Sequence, residues 1–214
     1  MKKNILILAL ASIFIARAED MPEPYRSLIE LPEDTHNWLS NCNKKNLATL
    51  IMQLHPKVVV ELGSWLGASA IFMASRLPES SILYAVDDWT ASTDTSIQAD
   101  ASVQEKLSTL YQQFLSNVKI HKLTHKIIPV RMKTLEAARS LNVVADLIYV
   151  DASHDEESVY KDIMAWYSKL KTHGIMCGDD WHAASVRAGV NRAAHELGLS
   201  VSVDGYFWFF PPKM

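Results

Sequence analysis

The sequence has few of the residues that hold metal-rich or disulfide-rich scaffolds together. Its 214 residues include two cysteines, Cys42 and Cys177, which form neither a C-x-x-C pair nor a Cys/His cluster. This spacing excludes a cysteine zinc site and a disulfide-dense scaffold, and it leaves open a single long-range disulfide. No stretch reaches the roughly 20 apolar residues that a helix needs to cross a bilayer, so we expect no membrane-spanning domain.

Basic residues are not in surplus either. The chain has 21 Lys and Arg against 24 Asp and Glu, a formal net charge of -3. Because proteins that bind a phosphate backbone normally carry excess positive charge, we expect no nucleic-acid partner. The length and a hydrophobic content of 49% predict one domain with a sizeable core.

The first twenty residues differ in composition from the rest. Two lysines precede the apolar stretch Ile5–Ala16, and the small-residue triplet Ala16-Arg17-Ala18 closes it. This order is typical of a secretory signal peptide that is cleaved after Ala18. The alternatives are an uncleaved anchor or a true start at Met21. We therefore predict a signal peptide at 1–18, an extension at 19–42 and a folded domain at 43–214.

From Asn43 onward, helical and β-rich patterns alternate, which predicts a doubly wound α/β domain. Six helices are predicted at 43–54, 68–77, 103–116, 134–141, 157–171 and 185–197, with Gly174 as the stop signal of the fifth. Seven strands are predicted at 57–62, 82–86, 126–130, 145–150, 175–177, 199–203 and 206–210. Asp204-Gly205 indicates that the last two form an antiparallel hairpin on an otherwise parallel sheet. The polar segment 90–104 reads as a long loop or lid.

A glycine-containing turn follows the first strand. Gly63, Ser64 and Gly67 stand between Glu61 and the next helix, where an open α/β sheet binds its ligands. The spacing G-x-x-x-G is not the G-x-G-x-x-G of dinucleotide sites. Asp87 ends the second strand, where a carboxylate can accept hydrogen bonds from ribose hydroxyls. The alternative is that Asp87 only caps a loop.

Three carboxylates end the fourth and fifth strands: Asp151, Asp179 and Asp180. Like charges at one edge are unfavourable unless a cation neutralises them, and oxygen ligands suit Mg²⁺. His154 follows in the same crevice and is the candidate general base. The alternatives are acids that cap helices and a solvated loop histidine. Trp65, Trp89 and Trp181 are expected to be core aromatics, with Trp89 or Trp181 on the pocket wall as the alternative.

Taken in order, the motifs resemble one family. They read V-E-x-G-S-x-x-G-x-S, V-D, V-D-x-x-H and G-x-x-x-G-D-D, at Val60–Ser69, Val86-Asp87, Val150–His154 and Gly174–Asp180. With the middle segments 114–118 and 127–130, they resemble a class I S-adenosylmethionine-dependent methyltransferase, of the broad group that includes small-molecule and sugar O-methyltransferases. The resemblance covers about residues 43–212 and implies a Rossmann-like fold.

The resemblance also implies roles for individual residues. The methionine part of S-adenosylmethionine would be surrounded by Glu61, Gly63, Ser64 and Gly67. Asp87 would bind the ribose, and the Met132-Lys133 region would flank the adenine. The location is open at this point: the N-terminus is typical of a secretory signal peptide, whereas the supply of a cytosolic cofactor favours the cytoplasm if Met21 is the true start.

A second set of roles concerns the methyl acceptor. Catechol-type and sugar O-methyltransferases hold Mg²⁺ with one acid after strand four and an adjacent pair after strand five, the positions of Asp151, Asp179 and Asp180. The catechol-type base is a lysine at the position of His154, and Ser153 replaces an aspartate of the sugar-modifying enzymes. The resemblance thus implies O-methylation of a small hydroxylated molecule. The alternatives are an NAD(P)-dependent oxidoreductase and an exported, non-catalytic ligand-binding or interaction protein.

Overall fold

The computed structural model describes residues 21–36, 38–91 and 101–211. The predicted signal peptide at 1–18 lies outside these residues, and so does most of the predicted lid at 90–104. Within these ranges the chain folds around one sheet with helices on both faces.

The sheet has seven strands in the order β3-β2-β1-β4-β5-β7-β6. Their bounds are β1 Val58–Leu62, β2 Ile82–Asp87, β3 Ile127–Arg131, β4 Ala145–Val150, β5 Leu170–Gly178, β6 Ser202–Asp204 and β7 Phe207–Phe209. The pairs from β3 to β5 are parallel, whereas β7 runs antiparallel to both β5 and β6. This arrangement confirms the predicted doubly wound, mostly parallel sheet with a C-terminal antiparallel hairpin.

The helices divide into two layers. They are α1 Asn41–Leu54, α2 Ala68–Ala74, α3 Ala101–Gln104, α4 Leu110–Ile120, α5 Thr134–Ser140, α6 Glu156–Tyr167 and α7 Ala184–Leu197, with a short 3₁₀ helix at Leu107–Thr109 before α4. Helices α1, α2 and α4 contribute to the core on one face of the sheet, through residues such as Leu47 and Phe114. Helices α5, α6 and α7 cover the other face, where Ile163 and Trp166 are fully buried. Because every crossover places its helix on a face, the carboxyl ends of the parallel strands stay accessible.

The fifth predicted helix, 157–171, is too long at its C-terminal end, and the prediction that Gly174 stops it is wrong. Helix α6 ends at Tyr167, and Gly174 lies inside β5. Strand β7 pairs only with the end of β5, at Cys177 and Gly178, and the polar residues 171–173 near the start of β5 are exposed. That polar, lysine-containing stretch imitates the solvent face of a helix. Gly174 serves packing instead, because a Cβ there would lie 2.8 Å from the Leu170 side chain.

The predicted N-terminal extension packs against the domain. We call residues 21–36 and 38–40 the N-terminal strap. Tyr25 is buried and donates its hydroxyl to Ile127 O at 2.9 Å. Farther along, the fully buried Asn117 of α4 accepts from Asp34 N at 3.1 Å and donates to Asp34 O at 2.7 Å. Asn117 also donates to Leu66 O at 2.7 Å, so one amide joins the strap to the turn after β1.

The structure also tests the two expectations about a disulfide and about membrane-spanning helices. Cys42 and Cys177 are both free thiols, so the long-range disulfide left open by the sequence does not form. Among the helices in the described part of the chain, none combines the length and apolarity required to cross a bilayer.

Candidate active site

One cavity of about 630 Å³ opens at the carboxyl ends of β1, β2, β4 and β5. Eight of the predicted site residues line it: Gly63, Ser64, Asp87, Met132, Asp151, His154, Asp179 and Asp180. The two others, Glu61 and Gly67, do not form part of its wall. The cavity therefore brings the residues after the first two strands together with those after the fourth and fifth.

The glycine turn, residues 63–67, touches the end of β4 directly. Gly63 has φ +84° and donates its N–H to Val86 O at 2.8 Å. A Cβ built on Gly63 would lie 1.9 Å from Asp151 O and 2.6 Å from the Cα of Ala152. Gly63 is thus required by the close approach of two chain segments as well as by its left-handed backbone.

Asp87 lies at the centre of the cofactor half of the cavity. Its carboxylate accepts from Trp65 N at 2.9 Å and from Trp89 N at 2.6 Å. Burial raises the pKa of Asp87, and these backbone N–H groups oppose the rise because they favour the charged form. An oriented carboxylate on the cavity wall is therefore available to accept hydrogen bonds from a ligand.

Beneath the turn lies a polar pair that the protein alone does not satisfy. Glu61 and Ser64 are buried, and within the described residues neither Glu61 oxygen nor Ser64 Oγ has a hydrogen-bond partner of good geometry. Burial raises the pKa of Glu61 to about 7, against the influence of the nearby Ser64 and Ser69 hydroxyls. Unpaired buried polar atoms are costly, so they indicate a ligand or water at the turn.

An acidic cluster occupies the other half of the cavity. His154 Nε2 lies 2.8 Å from Asp180 Oδ2, and Asp151, His154 and Asp180 can each offer one ligand atom within 4.8 Å of the others. Asp179 lines the same cavity but is not part of that group; its Oδ1 accepts from Asp180 N at 2.6 Å. The geometry accordingly places the histidine among the carboxylates.

The electrostatics of this cluster favour a cation. Burial, followed by the charges of Asp179 and Asp180, raises the pKa of Asp151 well above its ordinary value, while His154 opposes the rise. Burial also raises the pKa of Asp179. A bound cation would remove this repulsion, and carboxylate oxygens are the ligands that suit a hard divalent ion such as Mg²⁺.

One tryptophan from the strap and one from the glycine turn stack on each other at the cavity wall, a contact that the sequence did not predict. Trp38 stacks on Trp65 with ring centroids 5.4 Å apart and planes 7° from parallel, and both line the cavity. Trp38 remains 51% exposed. Trp65 therefore lines the cavity instead of lying only in the core as the sequence predicts. As predicted, Trp89 is a core residue, which donates its indole N–H to Trp65 O at 2.7 Å, and Trp181 packs against the core on the other face of the sheet. Neither lines the cavity.

Comparison with known families identifies a matching domain. A family model described as a methyltransferase domain matches residues 60–181. This segment runs from β1 to the residues just after β5 and contains both halves of the cavity. No curated protein matches the sequence.

Solved structures with the same fold are distant in sequence. The O-methyltransferase TomG from Streptomyces achromogenes, involved in tomaymycin synthesis and solved with S-adenosylmethionine, aligns with a TM-score of 0.58 and 15% identity over 82% of this chain and 81% of its own. An O-methyltransferase from Bacillus cereus, solved with S-adenosylhomocysteine, aligns with a TM-score of 0.58 and 15% identity over 94% of both chains. At these identities the likeness establishes the fold.

Proposed function

Since the chain belongs to the methyltransferase domain family, as a class I S-adenosylmethionine-dependent methyltransferase, we propose that it methylates a hydroxyl oxygen of a small molecule. One observation carries the proposal: Asp87 and the glycine turn line the same cavity as Asp151, His154 and Asp180. Cavities of roughly 300–1,000 Å³ are of the size that binds small ligands, and this one is about 630 Å³. Transfer to oxygen is further supported by the two structural neighbours, which are described as O-methyltransferases.

The cofactor half fits a sulfonium nucleoside by the chemistry of its groups. Asp87 would accept hydrogen bonds from the ribose hydroxyls, and Met132, which is 40% exposed, would flank the adenine. Gly63 and Ser64 would lie against the methionine part, where Ser64 Oγ has no hydrogen-bond partner among the described residues. Glu61 and Gly67 would support this region from behind the cavity wall.

The bound cofactor supplies a methyl group activated by a positively charged sulfur. As the new O–C bond forms, the C–S bond breaks and its electron pair stays on sulfur. The protein's main contribution is alignment, because the attacking oxygen must approach the methyl carbon opposite the sulfur. The glycine turn and the acidic cluster line the same cavity, where they would hold the two reactants next to each other.

His154 is the proposed general base. If its Nε2–H donates to Asp180, Nδ1 carries the lone pair that takes the proton of the acceptor hydroxyl. The carboxylate would hold the ring in this tautomer and stabilise the imidazolium that forms. Asp180 is therefore a positioning residue in this step.

Asp151, Asp179 and Asp180 are the proposed holders of Mg²⁺. When bound, the ion would orient an acceptor hydroxyl and lower its pKa. The raised pKa of Asp151 supports this assignment, because burial and then the charges of Asp179 and Asp180 disfavour its ionised form, which a bound cation would stabilise.

A chelation experiment tests the acceptor and metal assignments together. We expect a catechol or another vicinal diol to be methylated on oxygen, with at least about a tenfold loss of turnover in EDTA that Mg²⁺ restores. Asp151→Ala should cause a similar loss, whereas Glu157→Gln, on the outer face of α6, should not. Turnover unaffected by both EDTA and Asp151→Ala would contradict the metal assignment, and a protein that binds S-adenosylmethionine but methylates no diol on oxygen would contradict the hydroxyl acceptor.

A further inference from the structure

Asp162 is a buried acid that the reaction described above does not use. It lies on α6, is 3% exposed and forms part of the cavity wall together with Ser158, one helical turn earlier. The other charged side chains that line the cavity are all more exposed than Asp162. A charged group in such a position is costly unless it has a partner.

The hydrogen bonds of Asp162 are incomplete. Thr134 Oγ1 donates to Asp162 Oδ1 at 2.5 Å, and within the described ranges it is the one hydrogen-bond donor to this carboxylate. Thr134 is itself held in place, since the Trp166 indole N–H donates to its carbonyl oxygen at 3.1 Å. A carboxylate can accept about four hydrogen bonds, so most of its capacity is unused by the protein. Burial raises the pKa of Asp162 to about 6.

Thr134, which donates to this carboxylate, belongs to the cavity-lining segment 132–135 that follows β3. We call this segment the nucleoside slot, together with the cavity-lining residues after β4 and on α6: Ala152, Ser153, Ser158 and Asp162. Met132 N donates to Asp87 O at 3.1 Å, so the slot begins directly beside the proposed ribose site. The base of a nucleoside whose ribose is bound at Asp87 would extend into it.

The side chains of the slot indicate which chemical group is recognised. Lys133 and Lys161 are exposed, and Lys161 pairs with Glu157 on the outer side of α6. The buried part of the slot therefore offers an acceptor, Asp162, and requires a donor from the ligand. Of the polar groups on the adenine ring, the exocyclic amine is the one that donates.

We propose that Asp162 is a specificity-determining residue that accepts a hydrogen bond from the 6-amino group of the cofactor's adenine, while Thr134 holds its carboxylate in place. This inference rests on the proposed cofactor site. It assigns to α6 a direct role in selecting the nucleoside.

Calorimetric titration with two ligands tests this role. S-adenosylhomocysteine carries the 6-amino group, and S-inosylhomocysteine carries a carbonyl oxygen in its place. We expect the wild-type protein to bind the adenosyl ligand at least about tenfold more tightly, because the carbonyl would face a carboxylate and leave it unpaired. In Asp162→Asn the amide can donate to that carbonyl, so the ratio should fall to about one or reverse. Glu157→Gln, an equal change of charge on the same helix outside the cavity, should keep the wild-type ratio.

The possible outcomes of this titration distinguish a failure of the Asp162 assignment from a failure of the proposed cofactor site. A wild-type ratio near one, which requires no variant, would overturn the role of Asp162 while leaving the cofactor site intact. So would an Asp162→Asn protein that folds, as judged by its thermal unfolding, and keeps the wild-type ratio. A wild-type protein that binds neither ligand would overturn the cofactor site and this inference with it.

Discussion

His154→Ala is expected to lower kcat by about 10²–10⁴-fold, the usual contribution of a positioned general base. The imidazole lies on the cavity wall 2.8 Å from Asp180, among the carboxylates that would hold the acceptor. The affinity for S-adenosylhomocysteine should change by less than about threefold, because the proposed cofactor residues lie at the ends of β1, β2 and β3 and within α6, and none lies in the loop that carries His154. Initial rates and calorimetry on the same preparation measure both quantities.

His182 provides a matched control for this prediction. Its Nδ1 lies 3.7 Å from the other oxygen of Asp180, but the ring is exposed, packs on Tyr206 and does not line the cavity. His182→Ala should therefore retain most of the activity. Equal losses in the two variants would show that either histidine acts only through the charge of Asp180, and the assignment of the base would be wrong.

Gly63→Ala is expected to lower the free energy of unfolding by more than about 3 kcal/mol, or to prevent folding. The new Cβ would lie 1.9 Å from Asp151 O and 2.6 Å from a backbone Cα, and neither atom belongs to a flexible side chain. One of the two segments would have to move, at the point where β1 and β4 end side by side. Urea denaturation followed by circular dichroism measures the loss.

Gly198→Ala separates backbone strain from this close contact. Gly198 also has a positive φ, +65°, but a Cβ there has no heavy atom within 4 Å among the described residues. Its substitution should cost only the left-handed backbone penalty of about 1–2 kcal/mol. If Gly63→Ala were no more destabilising than Gly198→Ala, the close approach of the glycine turn to β4 would be contradicted.

The sequence predicts the strands and the acidic residues at their carboxyl ends, because both depend on short sequence patterns. The strand runs that end at Asp87, or directly before Asp151 and Asp179, can each be recognised separately in the sequence, and parallel strands bring their carboxyl ends to one edge. The cavity contains all three of these residues. The C-terminal hairpin could likewise be predicted from the sequence, since Gly205 adopts the positive φ that a tight turn requires.

Other parts of the site depend on contacts between distant residues. The strap has no regular hydrophobic period, and it is held by hydrogen bonds such as those of Asn117 to Asp34, 83 residues apart. Trp38 therefore joins the cavity wall without a sequence signal. In the sequence, Asp162 is an ordinary polar position on α6. Only the structure shows that Thr134, 28 residues away, donates a hydrogen bond to it.

Titration with S-adenosylhomocysteine, beside NAD⁺ and NADP⁺, tests the central claim most directly. We predict one site for S-adenosylhomocysteine, no heat with either nicotinamide nucleotide, and at least about a tenfold loss of affinity in Asp87→Ala, because a ribose hydroxyl would lose its charged acceptor. Binding of NAD⁺ or NADP⁺ in preference to S-adenosylhomocysteine, or an affinity for the latter that Asp87→Ala leaves unchanged, would contradict the cofactor site described above.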